Sequence, residues 1–593
     1  MHISWIDWTI IGVFFLVSML IGVFTSKQAG TSAKEFFLSG RNMPWWLLGV
    51  SMVATTFSAD TPNLVTDIVR KQGVSGNWVW WAFLLTGMLT VFVYAKLWRR
   101  SEVTTDLEFY ELRYGGKPAA FLRAFRALYL GVFFNVVIMA TVSLAAIKIG
   151  GVMLGLSPVE TLLLASVVTV VYSSLGGLKG VLLTDFFQFF IAMIGSIGAA
   201  MYILDLPEIG SLNNLLTHPS VSEKLDFFPD FNDWNLLIPL LIMPLAIQWW
   251  ATWYPGAEPG GGGYIAQRML SAKDEKNAIG ATLFFNIAHY AMRPWPWIIV
   301  ALSSLIIFPQ ISDLGAAFPN IPADKLGDDL AYSAMLTFLP TGLIGIVLAS
   351  LIAAVMSTLS THLNWGSSYV VNDFYLRFVK PNASDKELVA VGRISTVLLM
   401  VLAAVLALAL SNALEAFNIL LQIGAGTGLI FILRWFWWRI NAYTEIWAMF
   451  ISFAVAIFFE SINPRLGIID IPADQSYLKL LFGVGITTIG WVLATLLTKP
   501  EKDEILLSFY RKVRPAAFGW QKLLDRYPKE QQEQGQLPME IGLMLVGTVM
   551  VYAALFAVGF VLYGNFVGAL IAGAVSLAGG FIIVRNWDRM KLS

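Results

Sequence analysis

The chain contains no cysteine, only four histidines and few charged residues. Of its 593 residues 13% are charged, whereas soluble domains carry about a quarter. The lack of cysteine excludes disulfides and thiolate metal sites, and leaves the redox compartment unread. His2, His218, His289 and His362 are widely separated, and no activated-nucleophile motif accompanies them, which disfavours an enzyme. The net charge of zero gives no indication of a nucleic-acid partner.

Long apolar runs recur from end to end in a composition that is 57% hydrophobic. A run of about 20 apolar residues crosses the ~30 Å core of a bilayer as a helix. The sequence therefore predicts an all-α polytopic membrane protein that has the lipid bilayer as its partner. We number the predicted spans 1 to 15: 6–25, 44–68, 76–98, 123–153, 159–176, 181–204, 235–255, 276–308, 331–368, 388–411, 413–433, 443–461, 477–497, 540–562 and 566–585.

Basic residues predict the orientation of these spans. If the N-terminus lies outside, the inner segments hold 31 of the 39 lysines and arginines. This positive-inside bias predicts an inner C-terminus and a plasma (inner) membrane location. Span 1 has neither a basic residue before it nor a small-residue cleavage pattern after it, which favours a retained helix over a removed signal peptide.

Spans 2 and 7 are interrupted by residues that helices do not tolerate. Polar residues and Pro62 divide span 2, and four prolines with the run Gly260–Gly263 divide span 7. Such backbone is stable at membrane depth only inside protein or beside a cavity. If spans 2–6 form one repeat, spans 7–11 form an inverted one, and paired broken helices point to a midplane transport site. The predicted units are 1–42, 43–234 (first repeat and outer loop), 235–434 (second repeat) and 435–593, whose basic loop is 498–540.

Span 9 carries four hydroxyls within five residues: Ser357, Thr358, Ser360 and Thr361. Hard alkali cations require oxygen ligands, which a dry helix supplies from hydroxyls, freed carbonyls or carboxylates. The cluster is a candidate cation site. The alternative is that the hydroxyls bond back to their own helix or join two helices.

Four segments carry a recognisable pattern: Ser51–Asp60, Gly176–Gln188, Tyr264–Arg268 with Ser271–Asp274, and Ala353–Thr361 followed by Asn372–Tyr375. Together they resemble the sodium/solute symporter family, which includes sodium–sugar, sodium–proline and sodium–sialic acid transporters. The resemblance extends from about residue 1 to about 500, and spans 14 and 15 match it less well. It implies a leucine-transporter-type inverted five-helix repeat with extra peripheral helices.

The resemblance also implies where one or two sodium ions bind. A main site between spans 2 and 9 would use the carbonyls of Ala54, Phe57 and Ala354 and the hydroxyls of Ser357 and Thr358. A second site would use Asp185, Ser360 and Thr361. An intramembrane carboxylate is costly unless it is paired, and the alternative partner for Asp185 is Lys179.

The solute is expected to contact the interrupted parts of spans 2 and 7. Carboxylates beside aromatic faces suit a polyhydroxylated ligand, and they also suit a cation or zwitterion. Internal ion pairing is the alternative for each charge, and Arg293 either neutralises Asp60 or Glu258 or binds an acidic solute. The candidate residues are Asp60, Thr61, Trp253, Tyr254, Glu258, Gly262, Tyr264 and Arg293.

Two positions depart from the sugar-transporting members that the chain resembles. Gly262 stands where those members carry a sugar-binding asparagine, and Val79 where they carry an acidic contact. The expected function is sodium-coupled import of a small polar solute, a sugar or sugar-like compound, with no required protein partner evident. Two alternatives stay open: a membrane-embedded solute sensor, and a symporter coupled to protons at Asp185.

Overall fold

The computed structural model describes residues 3–56, 58–251, 258–319, 321–323, 326–410, 424, 426–472, 475–530 and 536–589. Within this part of the chain, 11 helices are long and apolar enough to cross a membrane. The chain is therefore an integral multi-pass membrane protein, as its composition predicts. The fifteen crossings and the direction of the termini stay predictions.

Most spans form continuous helices close to the predicted ranges. Their apolar side chains face lipid or neighbouring helices, and their backbone groups are satisfied within the helix. Span 11 lies largely outside the described residues. The bounds are Trp5–Ala29 (span 1), Val74–Ser101 (3), Gly116–Leu154 (4), Pro158–Leu204 (5 and 6), Glu275–Ile307 (8), Asp385–Ala409 (10), Ala442–Leu466 (12), Tyr477–Leu497 (13), Leu537–Leu562 (14) and Phe566–Arg585 (15).

Spans 5 and 6 are separated by a turn at one glycine. Gly177 has φ 54° and ψ −161°, a conformation that residues with a side chain rarely adopt. A Cβ atom there would lie 2.8 Å from the carbonyl oxygen of Phe36. Glycine at this position therefore allows both the kink between spans 5 and 6 and the close approach of the chain after span 1.

The predicted start of span 9 is wrong. A short helix, Leu330–Leu336, precedes the long helix, which runs over Leu343–Val379 rather than 331–368. Pro340 cannot donate a backbone hydrogen bond, and Gly342 has φ 88°, so the helix is interrupted before Leu343. Hydropathy did not show this interruption because the residues on both sides of it are apolar.

Both predicted interruptions are present. Span 2 consists of the helices Trp45–Thr56 and Asp60–Gln72. Span 7 begins at Trp234–Ala246 and resumes as Gly263–Ser271. Gly260, Gly261 and Gly263 all have positive φ, so the chain before the second helix takes a path that requires glycine.

Span 9 lies at the centre of the helix bundle, and spans 14 and 15 lie at its edge. Span 9 packs against spans 1, 2, 4 and 10 and the helix Pro158–Leu204. Span 14 packs against spans 3 and 8, where the buried side chains of Lys96 and Glu540 form an ion pair. Only 11% of the most apolar stretch of span 15 is buried, so span 15 is largely available to lipid.

The predicted inner segments meet at one end of the bundle, which we call the basic end. The predicted outer segments meet at the other. The alternation of the loops across the membrane stays a prediction. The contacts at the basic end include Arg41 with the Glu102 carbonyl at 2.8 Å, Arg100 with Glu275 at 2.9 Å and Arg377 with Glu111 at 2.9 Å; those at the other end include Arg70 with Asp328 at 2.7 Å and Lys148 with Asp329 at 2.6 Å.

Candidate functional site

The break in span 2 frees backbone carbonyls, and neighbouring spans bind most of them. The last four carbonyls of a helix have no partner within it. Arg293 of span 8 donates to the carbonyl oxygens of Val53 and Thr56, both at 3.0 Å. Thr358 of span 9 donates through its hydroxyl to the carbonyl oxygen of Thr55 at 2.8 Å. Spans 8 and 9 are therefore joined to the broken end of span 2.

The carbonyl of Ala54 lies between these bound groups. Among the described residues outside this helix, none donates a hydrogen bond to the Ala54 carbonyl. Ala54 is 2% exposed, and so is Ala354, which lies one turn before Thr358 on span 9. The Thr358–Thr55 contact therefore brings the part of span 2 that holds Ala54 against the part of span 9 that holds Ala354. Phe57 lies outside the described residues.

A second cluster surrounds Asp185, which is fully buried. The hydroxyls of Ser357 and Ser51 donate to its two carboxylate oxygens at 2.6 and 2.5 Å. An arginine nitrogen of Arg268 lies 3.7 Å from the carboxylate. The alternative partner Lys179 instead donates to the side chain of Gln28 at 2.6 Å.

Arg268, on the second half of span 7, binds the oxygens that line this cluster. Its guanidinium donates to the Thr361 hydroxyl at 2.8 Å and to the Ser51 hydroxyl at 3.2 Å. Its third contact is the side-chain oxygen of Gln267 at 3.0 Å. Ser360, which is expected at the same site, donates to the Ser357 carbonyl at 3.0 Å, as in the back-bonded alternative.

Arg293 and Asp60 lie on either side of the span 2 break. Arg293 is buried by its two carbonyl contacts, by His289, and by the ring of Trp297 at 5.2 Å from the guanidinium carbon. Asp60 opens the second half of span 2, where the positive end of the helix dipole favours a carboxylate. Its Oδ1 is buried and has no hydrogen-bond partner among the described residues.

Thr61 points back across the break of span 2. Its hydroxyl lies 3.4 Å from the Thr56 carbonyl, at the limit of a hydrogen bond. Trp253 and Tyr254, which are expected opposite it on span 7, lie outside the described residues.

Glu258 belongs to a buried group of four charges that also includes Arg126, Arg434 and Glu445. Its carboxylate lies 3.0 Å from Arg126 and 3.5 Å from Arg434. Glu445 lies 3.7 Å from both arginines. The structure therefore shows the internal ion pairing that was the alternative for Glu258. The group joins the break of span 7 to spans 4 and 12 and to the chain that follows span 11.

Gly262 and Tyr264 lie between this group and span 9. A Cβ atom at Gly262 would come within 2.9 Å of the Glu258 carboxylate, so a larger residue would displace it. The buried ring of Tyr264 lies 5.7 Å from the ring of His362. His362 bonds to Asn135 of span 4 at 2.5 Å, so spans 4 and 9 are joined at this level.

Sequence reasoning did not single out Arg268, Ser51 and Arg126, which the structure places in these buried clusters. Arginine within a membrane span is costly and marks function by default. This signal was present for Arg268, inside a recognised motif, and for Arg126, inside span 4. Ser51 gave a weaker signal because a single serine in an apolar helix usually bonds to its own backbone.

Comparisons with known proteins agree with this architecture. A model of the sodium:solute symporter family matches residues 36–452. The sodium/glucose cotransporter of Vibrio parahaemolyticus is 25% identical over 81% of this chain and 89% of its own length. The sodium/myo-inositol cotransporter 2 of Oryctolagus cuniculus is 28% identical over 75% of this chain and 68% of its own length.

A solved structure shows the same fold. It is the substrate-bound, outward-open state of a sodium-coupled sialic acid symporter, and it aligns with a TM-score of 0.65 at 20% identity. The alignment covers 84% of this chain and 99% of that structure. Since the family model spans most of the sequence and the helical fold agrees, the chain belongs to the sodium:solute symporter family.

Proposed function

We propose that this sodium-coupled solute symporter imports a small polar, polyhydroxylated solute by alternating access. The proposal places its main sodium site between spans 2 and 9. The ligands are the carbonyls of Ala54, Phe57 and Ala354 and the hydroxyls of Ser357 and Thr358.

One observation supports the proposed sodium site most directly. The Thr358 hydroxyl contacts the broken end of span 2 at the Thr55 carbonyl, directly beside the carbonyl of Ala54. A hydroxyl that donates its proton keeps its lone pairs for a cation. Ser357 is in the same situation because it donates to Asp185. A sodium ion there would join span 9 to span 2 more firmly than one hydrogen bond does.

The solute side of the proposal depends on Asp60 and Tyr264. The buried Oδ1 of Asp60 accepts hydrogen bonds and has no partner among the described residues, so it suits a solute hydroxyl. Relatives are named for glucose, myo-inositol and sialic acid, all of which carry several hydroxyls. Thr61, Gly262, Trp253 and Tyr254 complete the proposed pocket.

The charged group around Glu258 serves as the closure at the basic end. Its two arginines hold the break of span 7 against spans 4 and 12. The Asp106 carboxylate also accepts the backbone N–H of Gly263 at 2.7 Å. Opening toward the basic end requires these contacts to separate after sodium and solute have bound from the other side. Each sodium entering adds ~2.3 kcal/mol per 100 mV of membrane potential.

A thermal-shift experiment tests the proposal. Purified protein is heated in sodium and in potassium with sugars, inositols, sugar acids, amino acids and nucleosides. A ligand at 100 times its Kd stabilises the folded state by ~2.7 kcal/mol. We expect one polyhydroxylated solute to raise Tm in sodium only. A solute that stabilises equally in both salts supports the sensor, and one that stabilises only at low pH supports proton coupling.

A double variant tests the site itself. Ser357→Ala with Thr358→Ala should abolish the sodium dependence of solute stabilisation while the protein stays folded. The matched control is Ser303→Ala with Thr396→Ala, which removes two buried hydroxyls whose hydrogen bonds, as far as the described residues show them, stay within their own helices. Sodium dependence that survives in the first variant would place the ion elsewhere.

A further inference from the structure

The Asp185 cluster already contains a cation that belongs to the protein. Arg268 and Asp185 are both fully buried, and no other ion pair involving either is seen among the described residues. Burying a lone carboxylate is costly, and a nearby guanidinium neutralises it. The cluster as folded therefore has no net charge.

The guanidinium of Arg268 is held in place from several directions. It donates to Ser51 of span 2, to Thr361 of span 9 and to the neighbouring Gln267. Gln267 is itself fixed, since its side-chain nitrogen donates to the carbonyl of Phe37 and to Asn364, both at 3.0 Å. These contacts use donors of the guanidinium on both of its terminal nitrogens, so the group is fixed by geometry as well as by charge.

We propose that Arg268 is a tethered cation that takes the place of a second sodium ion, so that one sodium ion is bound per protein. The proposal rests on the proposed sodium-coupled function. The hydroxyl of Thr361 and the carboxylate of Asp185 are the oxygens that such a sodium would need, and both lie against the guanidinium. A sodium ion added there would leave the buried cluster with a net positive charge and two cations in close contact.

The tethered cation also connects the two broken spans. Ser51 lies on the first half of span 2 and Arg268 on the second half of span 7, while Asp185 lies on span 6. Ser51 donates to Asp185 and accepts from Arg268, so one hydroxyl joins the three groups. Arg268 thus links the halves of the two broken helices that lie toward the basic end, without an ion from solution.

Equilibrium binding of radioactive sodium to the purified full-length protein, with no solute present, tests the assignment. We expect one sodium per wild-type protein and a Hill coefficient of about 1. Two bound sodium ions in the wild type would overturn the assignment and leave the sodium-coupled function standing. Zero bound sodium would instead overturn the proposed function on which the assignment rests.

Variants give an independent readout. Arg268→Gln removes the tethered charge but keeps hydrogen-bonding capacity, and we expect it to bind a second sodium at the Asp185 carboxylate, which then lacks its ion-pair partner. Adding Asp185→Asn should remove that gained ion, and Arg268→Lys should bind one sodium because it retains the charge. A folded Arg268→Gln protein that still binds one sodium would contradict the assignment. If Arg268→Gln does not fold, the wild-type count decides alone.

Discussion

Replacing Thr358 with valine removes a single hydroxyl at the centre of the proposed main sodium site. Valine has nearly the same shape, so the packing of span 9 should be retained. The change deletes the hydrogen bond to the Thr55 carbonyl and, in the proposed function, one sodium ligand. Thr358 is fully buried, so water does not readily replace either contact.

The two losses have different magnitudes. A neutral hydrogen bond contributes about 0.5–1.5 kcal/mol to stability when both partners are lost, whereas leaving the buried Thr55 carbonyl without a partner costs about 1–3 kcal/mol in all. An interaction with a charged group contributes about 1.5–3 kcal/mol. Since 1.4 kcal/mol corresponds to tenfold in affinity, sodium should bind roughly 10- to 150-fold more weakly. Stability in potassium should fall by about 1–3 kcal/mol.

Equilibrium sodium binding and denaturation in potassium separate these effects. Thr396→Val is the matched control, because Thr396 is a buried threonine of span 10 that bonds to the Gly392 carbonyl of its own helix. The sodium affinity of the control should lie within about threefold of the wild-type affinity. Sodium affinity that is equal in the two variants would refute the main site, even if Thr358→Val is destabilised.

Three further predictions concern the buried charges. Arg293→Gln should destabilise the protein equally in sodium and in potassium, by about 1–3 kcal/mol for each carbonyl left unbound, which should lower Tm in both salts. Lost solute binding with an unchanged Tm would contradict this prediction. Glu258→Gln should speed hydrogen exchange of the helix Gly263–Ser271, because it leaves two buried arginines poorly paired, and unchanged exchange would count against the closure. Lys96→Met alone should destabilise by about 3–5 kcal/mol, and adding Glu540→Met should recover most of that loss in a denaturant titration; additive losses would exclude a coupled pair.

The locations of the spans and of their breaks could be predicted because they depend on local sequence. Hydropathy over about 20 residues decides whether a segment enters the bilayer. Pro62 and the run Gly260–Gly263 act on the backbone within one turn. The start of span 9 was missed because Pro340 and Gly342 interrupt a stretch that stays apolar throughout. Window averages do not resolve such a short interruption.

The pairing of the charges could not be predicted in the same way. Hydropathy shows that Asp185, Glu258 and Arg293 lie within the membrane and need partners. It does not show which distant residue provides the partner. Lys179 was the nearest basic residue to Asp185 along the chain, yet the folded protein brings Arg268 to it. Pairing depends on how the spans pack, and the sequence does not encode that in any local pattern.

Helix geometry explains why the hydroxyl cluster of span 9 divides between two sites. Successive residues of an α-helix are turned by about 100°, so four hydroxyls within five residues cannot all face one ion. Ser357 and Thr361 are four residues apart and share the face that meets Asp185 and Arg268. Thr358 is turned toward the broken end of span 2, and the adjacent Ser357, which gives its proton to Asp185, keeps its lone pairs for the proposed main site. The cluster therefore predicts where oxygen ligands occur, and only the packing of spans 2, 6 and 7 determines which cation each face meets.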